Sequence, residues 1–199
     1  MVAMTVASTD FQLDRPLTVG DLDLIQDDGH WYELDDGVLV MFPAPTIIHQ
    51  VVVHRLAELL TQSCRSDLLV MPGVGLEVSP VQFRVPDITV SRIEDIIYDK
   101  PLAKPPVLAV EVASPSTAIY DRNRKKDVYA AFGIESYWIV KPDLEKPSLT
   151  AFELTDGEYR VIADVSGDDT FRVVKPFACE IVPASLVAGP WQSTPTEVS

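Results

Sequence analysis

The residues whose types and spacing could do chemistry lie between Arg84 and Tyr129. Asp87 follows Pro86 in the run FRVPDITV, and Glu111 interrupts the apolar run PPVLAVEVASPS. Asp121, Lys125 and Tyr129 recur at i, i+4 and i+8 in the segment after it. Carboxylates at the ends of neighbouring strands offer the hard oxygen donors that Mg²⁺ or Mn²⁺ takes. A bound ion of this kind polarises a phosphoryl oxygen and lowers the pKa of its water, and a nearby lysine can orient or activate that water and offset phosphate charge. The set points to a metal-dependent phosphodiesterase core of the nuclease type. An acid inside a run as apolar as LAVEVA is costly to bury without a partner, which favours a working role for Glu111. The plainer alternative for both acids is a carboxylate that caps a turn or pairs with a basic residue.

Other candidates carry more than one reading. Glu33 is a possible third carboxylate, on the metal directly or through water, or else an acid on the exposed face of a hairpin. His49 is a weak candidate for a metal ligand or proton carrier; a lone histidine near a helix start is more often a hydrogen-bonded structural residue, and His30 and His54 have less support still. Lys125 either reaches the two acids or shares an exposed basic face with Arg122 and Lys126. Asp121 and Tyr129 read as structural, one an acid at the positive end of a helix and the other a packed aromatic with a polar tip. Ser114 and Ser116 lack a nucleophile elbow or a paired base, so a serine hydrolase finds no support.

The elements that must position these residues follow from periodicity and turn chemistry. Thr18, with Asp21 three residues on, reads as the start of a short helical turn. Residues 31–34 and 38–42 flank Asp35-Asp36-Gly37 and form the clearest hairpin. The segment from Pro45 to about Ser63 places Ile48, Val52, Leu56, Leu59 and Leu60 at near-helical spacing. Residues 68–71, 74–78 and 83–91 read as strands, the last with Pro86 marking an edge or bulge, and a short helical turn follows near Ile93. Residues 107–113 form a strand buried on both faces. The spacing predicts a helix over 121–132 ended by Gly133, then a buried strand over 136–140 with Tyr137 and Trp138 in the core, and two hairpin strands over 148–154 and 159–163.

Composition bounds the rest. A chain of 199 residues with 47% apolar content suits one folded domain, expected over 16–188, with a flexible arm over 1–15 and a disordered tail over 189–199. Apolar runs are too short to cross a bilayer and the start lacks a signal-peptide pattern. Two cysteines, Cys64 and Cys179, without metal-ligand spacing argue against a disulfide framework or structural zinc and favour a cytoplasmic setting. The net charge of −14 opposes binding of nucleic acid through phosphate contacts alone. The dense group Arg122, Arg124, Lys125 and Lys126 could form a local basic patch, or equally a solvated helix face.

Acids on two strands and a lysine on the next helix match the αβββαβ core of PD-(D/E)xK nucleases. More narrowly, the chain resembles the Uma-type family of restriction-endonuclease-like proteins. The matching pieces are Tyr32-Glu33-Leu34, Asp36-Gly37, Pro43 and His49; Pro86-Asp87; Val110-Glu111-Val112 with Ser114-Pro115-Ser116; Asp121, Lys125 and Tyr129; and the run from Gly133 to Val140. The resemblance implies an α/β fold with a restriction-endonuclease-like core, a mixed central sheet flanked by helices and extra antiparallel strands. It implies Mg²⁺ or Mn²⁺ held by Asp87 and Glu111, nucleic acid, foremost DNA, as substrate, and a homodimer in which two sites meet two strands. The superfamily places lysine two residues after the second acid, where this chain has Ala113; Lys125 is the replacement. Two rivals stand beside a nuclease: an inactive relative kept as a binding or assembly module, and a hydrolase of a smaller phosphoester.

Overall fold

The computed structural model describes residues 15–25, 30–113 and 120–192. Helix α1 (Val19–Leu22) opens with the expected capping box, the Thr18 N–H donating to the Asp21 carboxylate at 2.7 Å. Strands β1 (Trp31–Asp35) and β2 (Val38–Phe42) pair antiparallel, with Trp31 opposite Phe42 and Glu33 opposite Val40. Asp36 at φ 50° and Gly37 at φ 77° make the left-handed two-residue turn whose twist matches that of the strands. Helix α2 (Ile47–Ser63) starts at Thr46, whose hydroxyl accepts the His49 N–H, an N-cap that satisfies one of the helix's free donors.

Strands β3 (Leu68–Pro72), β4 (Leu76–Ser79), β5 (Gln82–Arg84) and β6 (Ile88–Arg92) follow, then a 3₁₀ turn over Ile93–Asp95 and strand β7 (Leu108–Val112). Helix α3 (Tyr120–Phe132) leads to β8 (Ser136–Lys141), β9 (Ser148–Thr155) and β10 (Glu158–Ser166). A ribbon of β11 (Phe171–Val173) and β12 (Cys179–Ile181), helix α4 (Pro183–Val187) and a 3₁₀ turn over Pro190–Gln192 complete the described chain.

The strands form a four-stranded sheet in the order β2-β1-β5-β4, a six-stranded sheet in the order β10-β9-β8-β7-β6-β3, and the β11-β12 ribbon. Within the six-stranded sheet only β7 and β8 run parallel, joined through α3, as a parallel pair requires a crossover. The succession α2-β3-β6-β7-α3-β8 is the expected αβββαβ core, with β4 and β5 as an excursion into the other sheet. The hairpin β9-β10 extends the central sheet antiparallel from β8.

Two buried clusters lie on opposite faces of that sheet. One joins Val52, Leu56 and Leu60 of α2 to Val90, Val110, Val112 and Trp138. The other joins Val128 and Tyr129 of α3 to Ala109, Tyr137 and Ile139. Because side chains alternate along a strand, Leu108, Val110 and Val112 face α2, and Glu111, in step with Ala109, faces α3.

The single strand expected over residues 83–91 is instead two strands in two sheets. Pro86 has no N–H for a ladder, and the Val85 N–H is taken by the Glu33 carboxylate at 3.0 Å. The chain therefore leaves the four-stranded sheet after Arg84 and enters the six-stranded one at Ile88, with Asp87 at the junction. At the end of α3, Gly133 at φ 92° sends its N–H back to Tyr129 and Ala130, the C-terminal stop expected of glycine. Arg15, assigned to a flexible arm, is ion-paired with Asp21 at 2.8 Å. In the stretch assigned to a tail, the Trp191 indole N–H donates to the Val187 carbonyl at 2.9 Å. Residues 1–14 and 193–199 lie outside the described residues. Cys64 and Cys179 are free thiols.

Candidate active site

Four elements deliver one polar cluster to a cleft of about 770 Å³. Glu111 projects from β7 toward α3, where Lys125 and Tyr129, one helical turn apart, both reach it. The Lys125 ammonium lies 3.2 and 3.1 Å from the two Glu111 oxygens, and the Tyr129 hydroxyl donates to Glu111 Oε1 at 2.6 Å. Lys125 also lies 3.2 Å from Glu33 Oε1, so one ammonium bridges acids from two sheets. Glu33 is buried rather than on an exposed hairpin face: its carboxylate points between the sheets and accepts the Val85 N–H that Pro86 leaves without a ladder partner.

Asp87 sits one step beyond the Ile88–Val110 pair of β6 and β7. Its Oδ2 accepts the Val112 N–H at 2.6 Å, which caps the free end of β7, and its Oδ1 lies 3.2 Å from His49 Nε2. The other ring nitrogen of His49 is buried without a hydrogen-bond partner. Burial pushes the Glu111 carboxyl up to about 8; the Lys125 charge opposes this, and the Asp87 and Glu33 charges add to it. Burial, with the charges on Glu111 and Glu33, also holds the Tyr129 hydroxyl well above its ordinary range, so it serves as a donor.

Asp87, Glu111, Lys125, Glu33 and His49 thus all line the cleft. Tyr129, read as structural, is fully buried and also fixes a Glu111 oxygen; its spacing from Lys125 was the available signal. His30 and His54 are exposed and outside the cleft lining. The side chain of Asp121, and all of Ser114-Pro115-Ser116, lie outside the described residues.

The residue missed from sequence is Arg84. Its guanidinium is 3% exposed and donates to the Leu34 carbonyl at 3.0 Å and to Asp35 Oδ1 at 2.6 Å, with Glu33 Oε2 at 3.5 Å. Gln82 donates to the same Asp35 oxygen, as does Arg124 of α3, which also pairs with Asp36. Burial opposes ionisation of Asp35, but the hydrogen bonds from Arg124 and Gln82 and the charge and hydrogen bond of Arg84 outweigh it and hold its pKa below the ordinary carboxylate range. The alternation Gln82-Phe83-Arg84 was the faint sign that polar side chains face inward here. The group Arg122, Arg124, Lys125 and Lys126 does not act as one basic patch in its described part. Arg124 is spent on Asp35 and Asp36, Lys125 points inward, and Lys126 lies over the Phe152 ring at 4.2 Å from its centre.

A family model described as "Uma2: Putative restriction endonuclease" matches residues 20–185. The chain belongs to the Uma2 family. A solved structure described as "a putative nuclease belonging to DUF820", from Anabaena variabilis ATCC 29413, is similar with a TM-score of 0.67 at 15% identity, over 86% of this chain and 98% of that chain. At that identity the likeness is one of fold. No curated protein matches the chain. No helix among the described residues is long and apolar enough to cross a membrane.

In this Uma2 chain the position two residues after Glu111 is Ala113, and the ammonium that meets Glu111 comes from α3. Among the described residues no three His, Cys, Asp or Glu side chains already surround a single point as a metal-binding group. The donor set still fits a hard divalent ion in its chemistry. Mg²⁺ commonly takes only one or two protein carboxylates and completes its shell with waters and substrate phosphate. Glu111, raised by burial and by its acidic neighbours, is a group that added positive charge would ionise.

Proposed function

We propose that this Uma2 protein is a divalent-metal-dependent endonuclease that hydrolyses phosphodiester bonds of nucleic acid, foremost DNA. One observation carries the reading: Glu33, Asp87, Glu111 and Lys125, drawn from two sheets and a helix, meet at a single cleft. In this reading Asp87 and Glu111 hold Mg²⁺ or Mn²⁺, with Glu33 assisting directly or through water. When bound, the ion supplies Lewis-acid polarisation of a phosphoryl oxygen and a water of lowered pKa. Lys125 orients the attacking water and offsets charge on the phosphate as the bond to the leaving oxygen breaks. Tyr129 holds the Glu111 carboxylate in one orientation, and His49 does the same for Asp87. A second copy of the chain would bring a second site to the opposite strand.

The test is calorimetric titration of Mn²⁺ and Mg²⁺ into the wild type, Asp87→Ala and Glu111→Ala, with a plasmid-nicking assay on the same samples. The expected result is binding by the wild type that both variants lose, together with metal-dependent nicking that falls by at least about a hundredfold. Absence of metal binding at millimolar concentration with DNA present would overturn the reading.

A further inference from the structure

The cleft has a second part that the carboxylate chemistry leaves unused. Trp31 and Phe42 are directly opposite on β1 and β2, and both line the cleft with Glu33. Trp31 is 50% exposed, whereas the core indole of Trp138 is fully buried. By strand alternation Trp31 and Glu33 lie on the same face of β1, roughly 7 Å apart along the strand. Phe42 also lies under the Lys125 ammonium, 5.3 Å from its ring centre. A half-exposed indole and a phenyl ring on paired strands give the cleft an aromatic part close to the acids.

The charges around that surface select the form of substrate. The cleft is lined by Glu33, Asp87, Glu111 and Asp143 against the cations Lys125 and Lys141, and Lys125 is committed to two of the acids. A duplex held through its two phosphate backbones needs several free cations. Single-strand binders instead draw much of their affinity from aromatic side chains on which bases stack. A volume of about 770 Å³ lies within the usual range for sites that enclose one small ligand.

Resting on the nuclease reading above, we infer that Trp31 and Phe42 form a stacking subsite for one unpaired nucleobase. The preferred substrate is then single-stranded or locally opened nucleic acid, with a base on Trp31 and the adjoining phosphate at Asp87 and Glu111. Closed duplex enters only where a base has left the stack.

The experiment measures binding by anisotropy in Ca²⁺, using a fluorescein-labelled tetrathymidylate, the same oligonucleotide with an abasic site at each position in turn, and a blunt duplex. The proteins are wild type, Trp31→Ala and Trp31→Phe, with folding checked by circular dichroism. The expected result is binding of the tetranucleotide that weakens about tenfold in Trp31→Ala and less in Trp31→Phe. The wild type should bind the best-placed abasic oligonucleotide about tenfold less tightly, a loss that Trp31→Ala does not deepen. The abasic ligand tests the subsite even if Trp31→Ala fails to fold. Equal binding of duplex and single strand, no effect of either base or indole removal, or no binding of the tetranucleotide would overturn the inference. Stacking-dependent binding without metal-dependent cleavage would leave the subsite standing and overturn only the nuclease reading.

Discussion

Glu111 shows how much a single carboxyl depends on where its strand places it. It is largely buried against Lys125 and Tyr129 with Asp87 and Glu33 nearby, and its pKa rises from 4.5 to about 8. The unfolded chain gives up this proton near 4.5 and the folded chain keeps it until about 8, so between those values the folded state binds more protons. Stability therefore falls as pH rises through that window. Chelator-treated wild type should lose unfolding free energy steadily across it, with about 5 kcal/mol as the upper limit set by a shift from 4.5 to about 8, measured by urea melts at successive pH values. Glu111→Gln should flatten that slope whatever it does to the absolute midpoint. An unchanged slope would assign the pH dependence to other groups.

Among the elements, the junction of β1, β5 and α3 decides whether the site assembles. Arg84 ties β5 to β1 through Asp35, the Leu34 carbonyl and Glu33, and Arg124 ties α3 to the same Asp35. Removing one partner from such a buried set leaves charges uncompensated, at about 3–5 kcal/mol. Arg84→Met should therefore lower unfolding free energy by about 3 kcal/mol in denaturant melts. Arg124→Met, whose side chain is 36% exposed, should cost about 1 kcal/mol or less. Equal losses in the two variants would count against a buried anchor. The Gln82-Phe83-Arg84 segment looks like an ordinary strand in sequence; its importance comes from facing Asp35 across a sheet that no local pattern announces.

For the molecule as a whole, charge and architecture pull in different directions. A net charge of −14 repels polyanions, and Arg124 and Lys125, which could have formed a basic patch, are consumed by internal acids. In chelator at physiological salt, the protein should show no mobility shift of a blunt DNA duplex at micromolar concentration. Millimolar Ca²⁺ should produce a shift of a single-stranded oligonucleotide, and Glu111→Ala should remove it. A strong shift of the duplex without divalent ions would show that cations other than Arg124 and Lys125 hold the phosphates.

The sequence by itself determined the local elements and most of the participants. The Asp-Asp-Gly hairpin, the Thr18 cap, the helix from Pro45 to about Ser63, the glycine stop after Phe132, and Asp87, Glu111, Lys125, Glu33 and His49 as residues of interest all follow from short-range turn, cap and periodicity rules, joined by a family resemblance. Only the tertiary structure decided that Pro86 passes the chain between two sheets and that Glu33 is buried beside Lys125. It also placed Tyr129 on a Glu111 oxygen, Arg84 at the anchor, and Trp31 with Phe42 along the same cleft. Periodicity states which face of an element a residue occupies. It does not state which other face it meets, because that depends on the packing of elements far apart in the chain.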